Sequence, residues 1–358
     1  MISLLITEKA LKFKDLKYYN KFGKLIIKYS VFKTLKKENL RFIDWELMDC
    51  PINNDIIEEA LRWGAETVYL ESDTDFNKLK IQNVLLGKEI SSFSENTNYE
   101  KFSRYLISEL LLDKCASSTN FKTKEVTVFA KLIDTNKNKN LELRGFNICF
   151  EIATEEDIKS LIDYYVNSLS FEKGNGLLPT IVQDVDKNIL MLAYSSEQSL
   201  NLAFKESRGI YFSRSRNEIW KKGETSGDVQ ELLKVRYDCD KDTLLFIVNQ
   251  IGSACHFKSY SCFKVPKMFN LKALQNIIEQ RISENDQGSY TSKLARNKDL
   301  LISKIAEESD EVVNFSDKNN LIWEIADLSY FLLVLMTLND IEPIDVINEL
   351  RRRRNVRK

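Results

Sequence analysis

A multidomain α+β protein is the fold class this sequence predicts: an N-terminal α/β domain over 1–153, a mostly β domain over 154–265 and an all-α module over 266–358. Three observations predict it. Short β-branched or aromatic runs alternate with helical patterns as far as Glu151. Strand-like runs with a single helix follow the two glycines of FEKGNG. Beyond Pro266 the apolar residues recur at helical spacing alone. At 358 residues the chain is also longer than one core usually spans.

In the first region KLIIKYSVF, LRFIDWEL and ETVYL are the strand-like runs, and NNDIIEEALRWGA is a helix. Asn53 or Asn54 can cap that helix, and Gly64 can end it before a strand at Thr67 to Leu70. TNKNKN, from Thr135 to Asn140, reads as a turn. No catalytic constellation appears here. Thr154 to Asp157 then form a capping box that opens a helix towards Leu169. LLPTIVQDV, ILMLAYS, GIYFSRS, VQELLKVRYDC and TLLFIVNQ read as strands, with one helix near Glu197 to Glu206. Lys264 to Asn270, holding Pro266, reads as a linker. Leu271 to Arg281, Asp299 to Asn314 and Asn320 to Leu338, with a shorter segment from Pro343 to Arg353, make the helical module.

Composition excludes some functions. With 52 basic and 53 acidic residues the formal charge is −1, which removes the broad attraction a dedicated nucleic-acid binder uses. No nucleic-acid partner is expected, and a solvated helix end accounts for the final RRRRNVRK at least as well as a nucleic-acid contact. The first apolar run breaks at Glu8 with no basic region before it, so no signal peptide is expected, and no window approaches a transmembrane span. Cys50, Cys115, Cys149, Cys239, Cys255 and Cys262 are scattered as thiols in a reducing compartment are. A cytoplasmic protein without a membrane partner is the expectation.

Chemistry concentrates between Gly209 and Phe263, which hold three of the six cysteines and the only histidine. Cys239, Cys255 and Cys262 lie 16 and then 7 residues apart; they can fill three corners of a zinc tetrahedron and leave the fourth to water, or they can be small buried hydrophobes. Asp238, Asp240 and Asp242 offer hard oxygen ligands suited to magnesium, although an Asp-rich hairpin turn has the same composition. His256 can carry a proton beside a metal-bound water or be a satisfied core histidine. SRSR places Arg214 and Arg216 on one strand face, with Ser213 and Ser215 on the other. The glycine-bounded turn from Lys222 to Gly227 can bring main-chain N–H groups to an anion. An exposed strand and a loop are the ordinary readings of these two, and together they suggest a phosphorylated ligand.

SRSRNEIWKKGETSGDVQ, the DCDKD cluster and the CH with a later SCF resemble phosphoribosyl-AMP cyclohydrolase over about Gly174 to Phe263. The resemblance implies zinc held by Cys239 of one chain with Cys255 and Cys262 of another, hence a homodimer, and magnesium on Asp238, Asp240 and Asp242. It implies opening of the adenine ring of phosphoribosyl-AMP between N1 and C6 by a zinc-activated water. Ribosylation at N1 leaves the purine electron-poor, so addition at C6 is reasonable chemistry. His256 is the candidate proton carrier, and Arg214, Arg216, Trp220, Lys222, Glu224, Thr225 and Ser226 are candidate substrate contacts.

In the helical module Glu307, Glu308 and Glu311 span an arc of about 100° on one helix and can converge on one metal. Glu324 and Asp327 are neighbours on the next, otherwise strongly apolar, helix, where ionised acids need a compensating cation. EExxE is also frequent on solvated helices. EExxE followed by ExxD resembles the all-helical nucleotide pyrophosphohydrolases, and the preceding GSYTSKL narrows the resemblance to phosphoribosyl-ATP pyrophosphohydrolase over about Leu271 to Arg353. That implies magnesium-dependent release of pyrophosphate from phosphoribosyl-ATP. Glu307, Glu308, Glu311, Glu324 and Asp327 would be ligands or base, the catalytic candidates being Glu308 and Glu311, and Lys293 and Lys304 would contact phosphate. Ser309-Asp310 departs from the small apolar residues usual between the glutamates.

The helical step makes what the β domain consumes, in the reverse of chain order. The arrangement, with its long N-terminal extension, is similar to the fungal multifunctional histidine enzymes. The sequence ends at Lys358, where a dehydrogenase would follow, so two activities are expected rather than three. Competing readings are a general nucleotide pyrophosphohydrolase and a nucleotide-binding pseudoenzyme. Residues 1–153 are expected to be a decayed βα scaffold, with a ligand-sensing domain as the second reading.

Overall fold

The computed structural model describes residues 2–70, 86–90, 102, 104–112, 125–284, 286 and 288–356. Cys115 lies outside the described residues. The chain divides into two compact units, Met1–Lys267 with Arg351–Lys358, and Met268–Leu350.

The N-terminal α/β region is a closed barrel. Strands β1 (Ile2–Ile6), β2 (Lys24–Lys28), β3 (Trp45–Cys50), β4 (Val68–Leu70), β5 (Leu86–Ile90), β6 (Arg104–Ser108), β7 (Glu125–Ala130) and β8 (Asn147–Glu151) pair in chain order, all parallel, and β8 returns to β1. Parallel strands are covered on both faces, which is why ISLLI and KLIIK are almost unbroken apolar runs. Leu4, Leu25 and Leu47 face the surrounding helices. Leu5, Ile26, Met48, Tyr69, Leu106 and Cys149, from six strands, form a separate cluster that fills the lumen. At the strands' N-terminal ends Glu46 closes that lumen, holding Lys24 at 3.2 Å, Arg104 at 2.6 Å and the Tyr69 hydroxyl at 3.0 Å.

Local punctuation is as expected in this region. Asn53 caps the helix Asn54–Arg62, and Gly64 follows its end at φ 93°. TNKNKN is not a turn: Thr135–Leu143 is a helix. Parallel β7 and β8 require a crossover, and two inward residues, Asn138 and Leu141, seat this otherwise polar helix, with Asn138 donating to the Lys131 carbonyl at 2.8 Å.

The middle region builds a four-stranded sheet in the order β10 (Ile189–Ser195), β9 (Leu178–Asp184), β14 (Leu244–Gln250), β13 (Gln230–Tyr237), beside a hairpin of β11 (Ile210–Ser213) and β12 (Glu218–Lys221). The predicted capping box at Thr154 and Asp157 starts the helix Glu155–Asn167, and the helix Glu197–Glu206 lies where expected. SRSR departs from expectation. The strand stops at Ser213, and Arg214 to Asn217 form the hairpin turn, with Asn217 at φ 54°, so the two arginines do not share a strand face. The chain must reverse there because β12, unrecognised in the sequence, pairs back onto β11.

The second unit is helical: Leu271–Glu284, Tyr290–Arg296, Lys298–Val313, Lys318–Leu338 and the start of Pro343–Val356. Ile278, Leu294, Leu301, Phe331, Leu333 and Val334 form its core. The helix Tyr290–Arg296, which begins within GSYTSKL, is only seven residues long and is capped by Ser289. One expectation is corrected here. Lys318–Leu338 is long and apolar enough to cross a membrane by length and composition, with mean hydropathy 1.8, and most of it is not buried within the chain.

Candidate functional site

Two groups of acids come together among the described residues, one in each unit. The first sits on the β13–β14 hairpin, where Asp238, Asp240 and Asp242 bring carboxylate oxygens within 4.8 Å of one another. The turn orients itself. One Asp238 oxygen accepts the amides of Asp242 and Thr243 at 3.1 and 3.2 Å, and Lys241 adopts φ 61°. Lys173, which sequence reasoning missed, pairs with Asp240 at 2.7 Å and holds its carboxyl below the usual carboxylate range. An oxygen-rich trio, exposed at Asp238 and Asp240 and half-buried at Asp242, and partly neutralised by one ammonium, is a donor set that fits a divalent cation.

Cys239 is on this hairpin and exposed, whereas Cys255 and Cys262 lie in the loop after β14. The latter two face each other. N–H donation from the Phe257 backbone, then a hydrogen bond with the Ser259 side chain, lowers the Cys255 thiol, while burial and then Cys255 raise Cys262. Among the described residues no group of three thiols gathers within 4.8 Å, so a single chain brings together two of the three predicted ligands. Two facing thiols, one eased towards thiolate, fit two corners of a zinc site. His256 is exposed beside them, its ring 3.8 Å from that of Phe257.

The loop is held by residues whose role was not foreseen. Asp228 accepts the Ser253 amide at 3.1 Å and pairs with Lys258 at 2.9 Å; Lys258 first, then Ser253, draws its carboxyl down to about 2. Lys222, expected at a phosphate, is instead buried, donating to the carbonyls of Asp228 and Ser253 at 3.1 Å each, and burial lowers its ammonium. Two glycines are required by this packing. A Cβ on Gly223 would meet the Asp228 backbone at 2.6 Å, and one on Gly252 would meet the Asp228 carboxylate at 2.3 Å, both at positive φ. The remaining turn residues Glu224, Thr225 and Ser226 are exposed.

A cleft of about 550 Å³ is lined by Leu192, Tyr194, Phe212, Arg214, Ser215 and Trp220, among others. The Arg214 guanidinium carbon lies over the Tyr194 ring, 3.7 Å from its centroid, which restrains the side chain. Arg216 is engaged by Glu218 at 3.1 Å and by Ser213 at 3.3 Å.

In the helical unit Glu308, Glu311 and Glu324 bring their oxygens within 4.8 Å. Glu308 is buried; burial first, then Asp327, Glu307 and Glu324, raises its carboxyl. Glu311 is raised by a hydrogen bond with Glu324 and by that residue's charge. Asn320, not foreseen, donates to Glu324 at 2.5 Å. Glu307 turns to Lys304 at 2.7 Å, Asp327 and Lys293 are exposed, and the Ser309 hydroxyl bonds back to the Ile305 carbonyl at 2.6 Å.

Both places lie in regions that are similar to known proteins. Residues 191–264 match the phosphoribosyl-AMP cyclohydrolase family and residues 271–354 the phosphoribosyl-ATP pyrophosphohydrolase family. The histidine biosynthesis bifunctional protein HisIE of Pyrococcus furiosus is 40% identical over 206 residues, which cover 54% of this chain and 99% of that protein. The chain belongs to the HisIE family. It carries the cyclohydrolase and pyrophosphohydrolase domains that make this family bifunctional in histidine biosynthesis.

Histidine biosynthesis trifunctional proteins are also similar: that of Kluyveromyces lactis is 40% identical over 200 residues, 55% of this chain and 25% of its own length, and that of Komagataella pastoris is 36% identical over 241 residues, 63% and 28%. The chain thus spans about a quarter of those longer relatives. The first match contains the cleft, the hairpin acids and the cysteine loop, and the second contains the helical carboxylates. The apolar helix Lys318–Leu338 is thereby a helix of the pyrophosphohydrolase domain.

Proposed function

We propose that the helical module removes pyrophosphate from phosphoribosyl-ATP and that the middle domain then opens the adenine ring of phosphoribosyl-AMP between N1 and C6. The observation that carries this reading is the presence, in one HisIE-family chain, of a helical carboxylate trio, a facing thiol pair and a carboxylate hairpin, the first in one family match and the other two in the other.

In the helical module Glu308, Glu311 and Glu324, with Asp327 beside them, would hold magnesium. When bound, the ion would supply charge neutralisation at the α,β-phosphoanhydride and fix the attacking water. Glu308, buried and raised, would accept the water's proton, and Lys304 and Lys293 would supply cations for the phosphates.

In the middle domain Cys255 and Cys262 of one chain, with Cys239 of a second, would hold zinc, which supports a homodimer as the working unit. Zinc there would supply Lewis acidity and lower the pKa of a water. His256 would take a proton from the attacking water and return it to N1 as the N1–C6 bond breaks. Arg214, Arg216, Trp220 and the exposed turn of Glu224, Thr225 and Ser226 would position the phosphoribosyl groups. Lys222 supports the cysteine loop from within. Asp238, Asp240 and Asp242 would hold magnesium, and a cytoplasmic location suits free thiols.

Incubation with phosphoribosyl-ATP and magnesium, with and without zinc, tests the reading. Pyrophosphate should appear in both reactions and the ring-opened product only with zinc. No product in either would make the chain a nucleotide-binding scaffold.

A further inference from the structure

The described residues of the barrel contribute no group to either acid cluster, yet the barrel grips the strand that delivers one of them. Strand β13 runs directly into Asp238. Along it the Val235 amide donates to the Lys21 carbonyl at 2.9 Å, and Lys234 and Arg236 both pair with Asp44, at 2.8 and 2.9 Å. Although burial opposes it, those two cations hold the Asp44 carboxyl below its ordinary value. Lys21 precedes β2 and Asp44 precedes β3, so one end of the barrel is the contact surface.

A second contact reaches the turn itself. Glu142, near the end of the crossover helix Thr135–Leu143, is nearly buried and accepts Lys241 at 2.6 Å and the Tyr237 hydroxyl at 3.5 Å. Tyr237 and Lys241 flank the acids: one precedes Asp238, and the other lies between Asp240 and Asp242. A single barrel carboxylate therefore holds the turn at two points. From the other side, the Ser170 amide and hydroxyl hold the carbonyls of Lys241 and Asp240 at 2.9 and 3.0 Å.

Three like charges within five residues repel, and an exposed turn with a lysine at positive φ would relax by separating them. Anchoring the Lys241 side chain opposes that relaxation and keeps the oxygens converged before any cation arrives, which is preorganisation of a ligand set by the residues behind it. We infer that Glu142 is a positioning residue for the Asp238, Asp240 and Asp242 turn, and that the N-terminal barrel is thereby a working part of the cyclohydrolase site. The part concerning cation affinity rests on the reading of those aspartates as a magnesium site.

The test uses the full chain in a Glu311→Gln background, which weakens the helical carboxylate trio, and measures manganese binding by loss of the free-ion EPR signal. Glu142→Gln should weaken binding about tenfold, as loss of an outer-shell partner does. Lys241→Met should weaken it as well, and the double variant should be no weaker than either single one. Lys241→Met is the discriminating variant, because removing a positive charge beside the acids would tighten cation binding if simple electrostatics governed the site. Tighter binding in that variant overturns the proposal, as does unchanged binding in a folded Glu142→Gln protein.

Amide exchange at 238–243 without any cation supplies a separate readout. It should accelerate in Glu142→Gln, and unchanged protection overturns the latch whatever the acids bind. If Asp240→Asn leaves manganese binding intact while exchange still accelerates in Glu142→Gln, the magnesium reading fails and the latch stands. Pyrophosphate release by Glu142→Gln in an otherwise unaltered chain should match that of the parent; its loss would show general misfolding and overturn the assignment.

Discussion

The close approach of the Glu308, Glu311 and Glu324 carboxylates gives the helical module a pH signature. Glu308 and Glu311 are raised above the ordinary glutamate value of about 4.3 in the folded chain. A raised carboxyl makes the folded state bind more protons than the unfolded one, so its contribution is full below the ordinary value and is lost as pH rises through the folded value. In chelator-treated protein the urea midpoint of Glu311→Gln should therefore fall less with rising pH than that of the parent, and magnesium should flatten the parent's curve. Parallel curves would show that the carboxylates do not interact. The acids themselves were legible from type and spacing, because positions 0, 1 and 4 must share a helix face. Their partners were not. Asp228, Lys173 and Glu142 meet the site residues through strand pairings and crossovers that no local pattern encodes, and Lys222 reads as a phosphate contact because its burial depends on Ser253, 31 residues away.

At the scale of elements, local signals carried most of the reading. Thr154, Asn53 and Gly64 mark helix ends through bonds within a few residues, so those boundaries were readable. TNKNKN and SRSR failed for opposite reasons. A polar segment becomes a helix when a parallel crossover demands one, and an alternating segment becomes a turn when an unrecognised strand pairs behind it. The loop 252–262 depends on Gly252, at φ 73° with no room for a Cβ beside Asp228. Gly252→Ala should cost about 1–3 kcal/mol through backbone strain. It should also dislodge the Asp228 carboxylate and lower zinc stoichiometry, measured by metal analysis after gel filtration, while pyrophosphate release persists. Full zinc retention would mean the loop is not anchored through Asp228.

For the whole molecule, closure of eight parallel strands was the least legible feature. The sequence states that strands and helices alternate, but an open sheet and a closed barrel share that alternation; closure rests on β8 pairing with β1 across the full length of the domain. Assembly carries its own prediction. If Cys239 of one chain completes the Cys255 and Cys262 pair of another, Cys239→Ser and Cys262→Ser proteins should each fail to open the ring, and mixed, re-associated dimers should regain about a quarter of the parent rate by random pairing. No recovery in verified heterodimers would place all three thiols in one chain.

Turnover of phosphoribosyl-ATP by two single variants decides whether one chain performs two hydrolyses at two separate sites. Cys262→Ser should release pyrophosphate at the parent rate and accumulate phosphoribosyl-AMP with its ring closed. Glu311→Gln should release almost no pyrophosphate, yet open the ring of supplied phosphoribosyl-AMP at the parent rate. Loss of both reactions in either folded variant would contradict the account.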